Sequence, residues 1–415
     1  MKKRLRGALV VGQSGGPTAV INASLAGVAE TALHQAEFDA VLGLWHGIEG
    51  ALKEELVDLA QEDPHALHAL VGTPSAALGS CRHKLGPAEY ERILEVFRAH
   101  NVRYFAYIGG NDSMDTAYQV AKLAAETGYE LRVMGVPKTI DNDLALTDHT
   151  PGFGSAARYV AISTMDAGRD LAAMETFEDV SILETMGRHA GWLAAASVLG
   201  KRDEADPPHL VYLPERPFHE AKFLEDVKRV HEAIGHVMVV VSEGIRDAEG
   251  NLIAAKVGRL QTDAFGHQTV ALGLGVGVYL QDLVTRELGF KARVNRPGTL
   301  QRSCSISPSR VDLEEAYLVG RVAVEKMLDG ESGFMVTLER LEGPGYRCTT
   351  GLARLEDVAN AEKHMPPEFI NEEGNLPTQA FVEYALPLVG DPLPEHVRLK
   401  RVMVAKKAPA WKGGL

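Results

Sequence analysis

Residues 136–144 read VPKTIDNDL, which crowds Lys138, Asp141 and Asp143 into one short turn. Two carboxylates and an ammonium at this spacing suit a reaction that needs a proton acceptor, a counter-charge for an anion and an oxygen ligand for a hard cation. Asp141 is the candidate acceptor. Asp143 either supports a metal ion or locks the loop as an Asx turn, and Lys138 is either an anion's partner or a solvated charge. Two glycine-rich loops carry compatible chemistry. In VGQSGGPTA, Gly15 and Gly16 allow close backbone approach to a phosphate at a helix N-terminus, although a tight strand-to-helix turn would use glycine too. In IGGNDSMDT, Gly110 precedes Asn111, Asp112 and Ser113. Asp112 or Ser113 would cap a helix, while the amide oxygen of Asn111 suits a magnesium ion already held by phosphate oxygens.

The elements around these loops determine where they meet. GALVVGQSGGPTAVINASLAGVAETALHQ reads as strand, glycine turn and helix; VRYFAYIGGNDSMDTAYQVAKLAAE repeats that grammar, and LRVMGVPKTIDND adds a strand with a polar loop. Ligands of such parallel sheets sit beyond the carboxyl ends of the strands, where all three loops lie. VSILETMGRHAGWLAAASVLG, HLVYLP and GHVMVVVSEGI predict a second unit of the same kind. The expected fold class is α/β, with two Rossmann-like three-layer domains and mostly parallel sheets. We expect a first domain over 1–147, a second over 148–298, a segment crossing back over 299–340 and a proline-rich C-terminal extension over 341–415.

Composition narrows the classes of function. The 415 residues are 45% hydrophobic, enough for a sizeable core, and no apolar run is both long and glycine-poor enough to span a bilayer. The basic start MKKRLRGALVVG lacks a cleavable signal pattern, so a cytoplasmic location is expected. A formal net charge of -13 argues against nucleic acid and anionic membranes as partners, but leaves room for a small anionic substrate in a basic pocket. Cys81, Cys304 and Cys348 have neither metal-site nor disulfide-framework spacing. His65 and His68, in HALHAL, read as a solvated helix face rather than a metal pair.

The loops QSGGPTAVINAS, GGNDSMDT, PKTIDND, ETMGRHAGW, SEG and LQRS, in this order, resemble the phosphofructokinase family over about residues 7–330. The resemblance implies that Asp141 takes the proton from the 1-hydroxyl of fructose 6-phosphate during phosphoryl transfer, with Mg2+ as cofactor. ATP-dependent members carry GGDGS and PGTIDND at two of these loops. Asp112 and Lys138 instead follow the pattern of the pyrophosphate-dependent members. A carboxylate about 4 Å from the α-phosphate of ATP would cost roughly 4 kcal/mol at an effective dielectric near 20, about a thousandfold. Lys138 would give pyrophosphate the counter-charge that it needs in place of a nucleoside anchor. Asn111 stands where the family has an aspartate that reaches the metal, and so implies weaker metal binding.

On the sugar side, the resemblance implies backbone contacts from Met186 and Gly187, charge neutralisation by Arg188, and hydroxyl binding by Glu243 and Thr139. Arg293 and Arg302 match 6-phosphate ligands, and Thr299 stands where bacterial ATP-dependent relatives have a histidine. Asp179 replaces an arginine lent by a neighbouring subunit, with Arg296 or Lys291 as substitutes, in a homo-oligomer, dimer or tetramer. Arg82 either approaches the donor phosphates or belongs to the surface. An ATP-dependent enzyme and a non-catalytic sugar-phosphate-binding regulatory subunit are the alternatives.

Overall fold

The computed structural model describes residues 5–256, 260–262, 268–270, 275–359 and 361–408. In chain order the first strands are β1 (Gly7–Gln13), β2 (Phe38–Leu44), β3 (Leu56–Asp58), β4 (Val102–Gly109), β5 (Arg132–Pro137), β6 (Val180–Thr185), β7 (Leu210–Tyr212) and β8 (Val237–Ser242). After them come β9 (Leu260–Thr262), β10 (Gln268–Val270), β11 (Ala292–Asn295), β12 (Phe334–Arg340) and β13 (Cys348–Arg354).

One sheet has the order β13-β12-β5-β4-β1-β2-β3, and a second has the order β11-β6-β8-β7. The five inner strands of the first and all four of the second run parallel. Among the described residues only the edge strands β3 and β13 pair antiparallel with their sheet, and β9 pairs with β10 in a separate ribbon. Strands such as β1, β5 and β8 are buried along their whole length, which explains their near-continuous apolar sequences.

Helices cover both faces of each sheet. The helices Ile21–Leu33 and Arg310–Leu328 close one face of the first sheet around Leu9, Ile108 and Val319, and Pro87–Ala99 and Asn111–Glu126 close the other around Phe97, Phe105 and Met114. In the second lobe, Glu220–Ile234 and Val276–Leu288 pack on one face. The opposite face is covered by the helix Phe153–Ala173 together with C-terminal residues Met365, Ile370, Phe381 and Leu388.

The long crossing helix also ties the lobes together. Buried Asp312 accepts hydrogen bonds from the amides of Gly152 (2.8 Å) and Ser155 (2.9 Å), at the start of the helix Phe153–Ala173. The expected boundary at 340/341 falls between two strands of one hairpin, because β12 pairs with β13 from Phe334–Arg354 to Arg340–Cys348. Residues 348–354 are therefore an edge of the first sheet. On its other side β12 pairs with β5, which precedes the whole second lobe in the chain. Among the described residues no helix is long and apolar enough to cross a membrane, and the three cysteines are free thiols.

Candidate active site

The loops after β1, β4, β5, β6 and β8 converge on a cleft of about 740 Å³ between the sheets. Gly15 adopts φ +75°, a conformation that costs glycine little, and turns the chain so that its backbone faces the cleft. A side chain here would also crowd the ammonium of Lys138, which lies 3.2 Å from an ideal Cβ. Lys138 Nζ donates to the Gly16 carbonyl at 2.8 Å. An ideal Cβ on Gly16 would lie 3.1 Å from one Arg302 guanidinium nitrogen and 3.9 Å from one of Arg82. Three cations thus meet at one pair of glycines. Burial, followed by repulsion from Arg302 and Arg82, pushes the Lys138 ammonium down to about 7, with Asp141 and Asp143 opposing the shift. Arg302 is lowered as well, by burial and then by Arg82. A polyphosphate placed here would relieve this repulsion.

The loop after β5 is built around Asn142, which is fully buried with φ +53°. Asparagine tolerates this left-handed conformation better than most residues, and its flanking aspartates both reach the cleft. The Thr139 hydroxyl accepts from the Asp141 amide at 3.0 Å. Burial, then the charges of Asp143 and Glu243, push Asp141 up to about 7, against the pull of Arg188 and Lys138. Burial also raises Asp143.

Two oxygens in this corner, Asn111 Oδ1 and Asp141 Oδ1, are buried without a hydrogen-bond partner among the described residues. Asn111 Nδ2 lies 3.5 Å from Asp143 Oδ2, so the Asn111 and Asp143 side chains adjoin. An orphaned oxygen beside a carboxylate fits a hard divalent cation. Asp112 and Ser113 follow in the first turn of the helix Asn111–Glu126, with Gly110 at its N-cap; Ser113 is buried and Asp112 is exposed at the cleft.

The second lobe supplies the opposite wall. Gly187 has φ +129°, and a Cβ there would meet the Ala190 carbonyl at 2.6 Å, so the turn that presents Met186 and Arg188 requires glycine. Met186 N donates to Gln301 Oε1 at 2.9 Å, and the Ser242 hydroxyl donates to the Gly187 carbonyl. Glu243 follows β8, with its amide on the Thr185 carbonyl at 2.9 Å; burial raises its carboxyl despite nearby Arg188.

Not every residue singled out from the sequence reaches this cleft. Arg293 sits opposite Ser181, near the start of β6, and ion-pairs Glu178, whereas the cleft lies beyond the end of that strand. Thr299 is exposed outside the cleft lining. Arg302 does line the cleft, but on the Gly16 side next to Arg82. Asp179 receives the Lys291 amide at 2.8 Å and pairs with His231, so its carboxylate serves the end of the second sheet. His68 is exposed beside Glu30. Glu362 and His364 line the cleft without having been singled out; the cluster EKH in a proline-rich stretch was the available signal.

Residues 8–327 match the family described as Phosphofructokinase. The chain belongs to the phosphofructokinase family. It is 47% identical to a pyrophosphate–fructose 6-phosphate 1-phosphotransferase of Xanthomonas campestris pv. campestris, across 98% of this chain and 99% of the relative. Identity to a protein of the same name from Halomonas elongata is 43%, across 96% and 98% of the two chains. Among solved structures, a pyrophosphate-dependent phosphofructokinase from Marinobacter aquaeolei superimposes with a TM-score of 0.84 at 42% identity, covering 98% of this chain and 99% of that one. The matched family region ends before β12, and the relatives above align over the C-terminal strand pair and the segment that follows as well.

Proposed function

We propose that this chain transfers a phosphoryl group from pyrophosphate to the 1-hydroxyl of fructose 6-phosphate, giving fructose 1,6-bisphosphate and phosphate. The observation that carries this reading is the corner of three cations, Lys138, Arg82 and Arg302, around Gly15 and Gly16, with the Asp141 carboxylate in the same cleft. The cations bind and orient the two phosphates of the donor. Asp141 accepts the 1-hydroxyl proton as that oxygen bonds to the terminal phosphorus; the bond from phosphorus to the bridging oxygen breaks, and phosphate leaves. A carboxyl raised towards neutrality is suited both to take that proton and to return it, which fits a reversible reaction. Lys138 and Arg188 offset the negative charge that gathers on the transferring group, and Glu243 and the Met186–Gly187 backbone hold the sugar. Asn111 and Asp143 would hold Mg2+, which when bound neutralises phosphate oxygens of the donor.

Supporting the choice of donor, Asp112 lines the cleft, where its carboxylate would repel inner phosphates of ATP, and the relatives above bear pyrophosphate in their names. In this reading the enzyme works in cytoplasmic glycolysis as a homo-oligomer, and Arg293 and Thr299 serve the 6-phosphate only if a second subunit brings their surface to a cleft. Coupled assays of the purified chain with pyrophosphate and with ATP test the donor: activity with pyrophosphate and a far smaller rate with ATP is expected, and the reverse order sinks the proposal. Asp141→Asn is expected to lower kcat by about two to four decades, as loss of a general base does, with a melting temperature no lower than that of the wild type.

A further inference from the structure

The C-terminal segment beyond the matched family region reaches the proposed base loop through Lys363 and Tyr384. Asn142, between the two aspartates, gives its side-chain amide hydrogen to Tyr384 Oη at 3.0 Å and accepts from Lys363 Nζ at 3.3 Å and from the Thr150 amide at 3.1 Å. Lys363 Nζ also reaches the carbonyls of Thr147 (3.3 Å) and Asp148 (2.8 Å), and Tyr384 Oη donates to the Asp148 carbonyl at 2.6 Å. The backbone joins in as well: Lys363 N donates to the Asp143 carbonyl at 2.8 Å, and Glu362 bridges antiparallel to Leu144. Trp192 fixes Lys363 from the other side, with its indole N–H on the Lys363 carbonyl at 3.3 Å and the ammonium 5.2 Å from its ring.

We infer that Lys363 and Tyr384 are positioning residues for the reaction, holding Asn142 in its left-handed conformation so that the Asp141 carboxylate faces the acceptor hydroxyl. Three features carry this. Asparagine tolerates the conformation of Asn142 but is not confined to it, and here two of the three side-chain hydrogen bonds found for it among the described residues come from the C-terminal segment. One carboxylate oxygen of Asp141 has no hydrogen-bond partner among the described residues, so that oxygen does not help to anchor the base. A shift of the loop by a fraction of an ångström would therefore reach the base undamped, and near-attack geometry is sensitive to displacements of that size.

The inference rests on Asp141 as proton acceptor, and a double-mutant cycle separates the two ideas. Lys363→Met and Tyr384→Phe are made in the wild-type chain and in Asp141→Asn, and kcat, KM for both substrates and the thermal midpoint are measured. Expected for Lys363→Met is a kcat loss of about 10- to 100-fold with each KM within threefold, and less than threefold further loss in Asp141→Asn. Tyr384→Phe gives the same pattern more weakly, and stands in if Lys363→Met does not fold. Equal fold losses on both backgrounds, or a lowered melting temperature with unchanged kcat, would overturn the positioning role. A wild-type rate for Asp141→Asn alone would instead overturn the assignment of the base.

Discussion

Replacing Lys138 with methionine tests the division of labour between the two residues proposed to set the donor. Lys138 is 3% exposed, whereas Asp112 lies at the open side of the cleft. Opposite charges about 4 Å apart attract by roughly 4 kcal/mol at an effective dielectric near 20, but by only about 1 kcal/mol in bulk water. The buried lysine belongs near the first limit and the exposed aspartate near the second. Lys138→Met should then lower kcat/KM for pyrophosphate by about a thousandfold. Asp112→Gly should raise kcat/KM for ATP by only about fivefold, well below the thousandfold that a desolvated carboxylate would give. Coupled initial-rate assays with each donor, at low and at about 0.5 M salt, supply the numbers, and only the Asp112 effect should shrink markedly with salt. Three decades of ATP activity gained from Asp112→Gly, or less than tenfold lost from Lys138→Met, would refute burial as the factor that ranks the two residues.

Gly187→Ala should raise KM for fructose 6-phosphate at least tenfold and leave KM for pyrophosphate within twofold, because the new methyl would meet the Ala190 carbonyl in a turn with φ +129°. Steady-state kinetics with each substrate varied in turn checks this. His209 is buried, and burial, then Lys201 and His236, push its imidazole down to about 3. Since the folded value lies below the unfolded one near 6.5, its contribution to stability is complete above that pH and is lost as the pH falls towards 3, by about 2 kcal/mol at pH 5. Urea unfolding of wild type and His209→Asn at pH 7 and pH 5 should show a shallower acid loss in the variant, by that amount.

The strand-end loops were legible in the sequence because a short apolar run followed by glycine or a polar cluster is a local pattern, and those after β1, β4, β5, β6 and β8 face one cleft, whereas the loop after β7 does not line it. Long-range partnerships were not. The sequence around Asn142 says nothing of Lys363 or Tyr384, whose contacts depend on how the chain folds back after the second lobe. β13 lacks a clean apolar alternation because it is an edge strand with half-exposed residues. The place of Arg302 in its motif points to the sugar phosphate, yet the short helix Leu300–Ser303 turns it towards Gly16, a matter of rotation that residue spacing does not encode. The charge corner is likewise a property of three segments, and none of its members is conspicuous alone.

The return of β12 to the first sheet has a consequence for synthesis. The chain leaves that sheet at Pro137 and comes back to it only at Phe334, after the whole second lobe has been made. At roughly 5–20 residues per second, the open edge of β5 stays uncovered on the ribosome for about 10–40 s. During the same interval the helix Ile21–Leu33 lacks its packing partner Arg310–Leu328. A nascent chain in that state presents a bare, apolar parallel edge, the kind of surface that holding chaperones cover and that a stalled or truncated product would use to aggregate. Truncation before Arg354 should for this reason be more damaging to yield than loss of the exposed residues near 400.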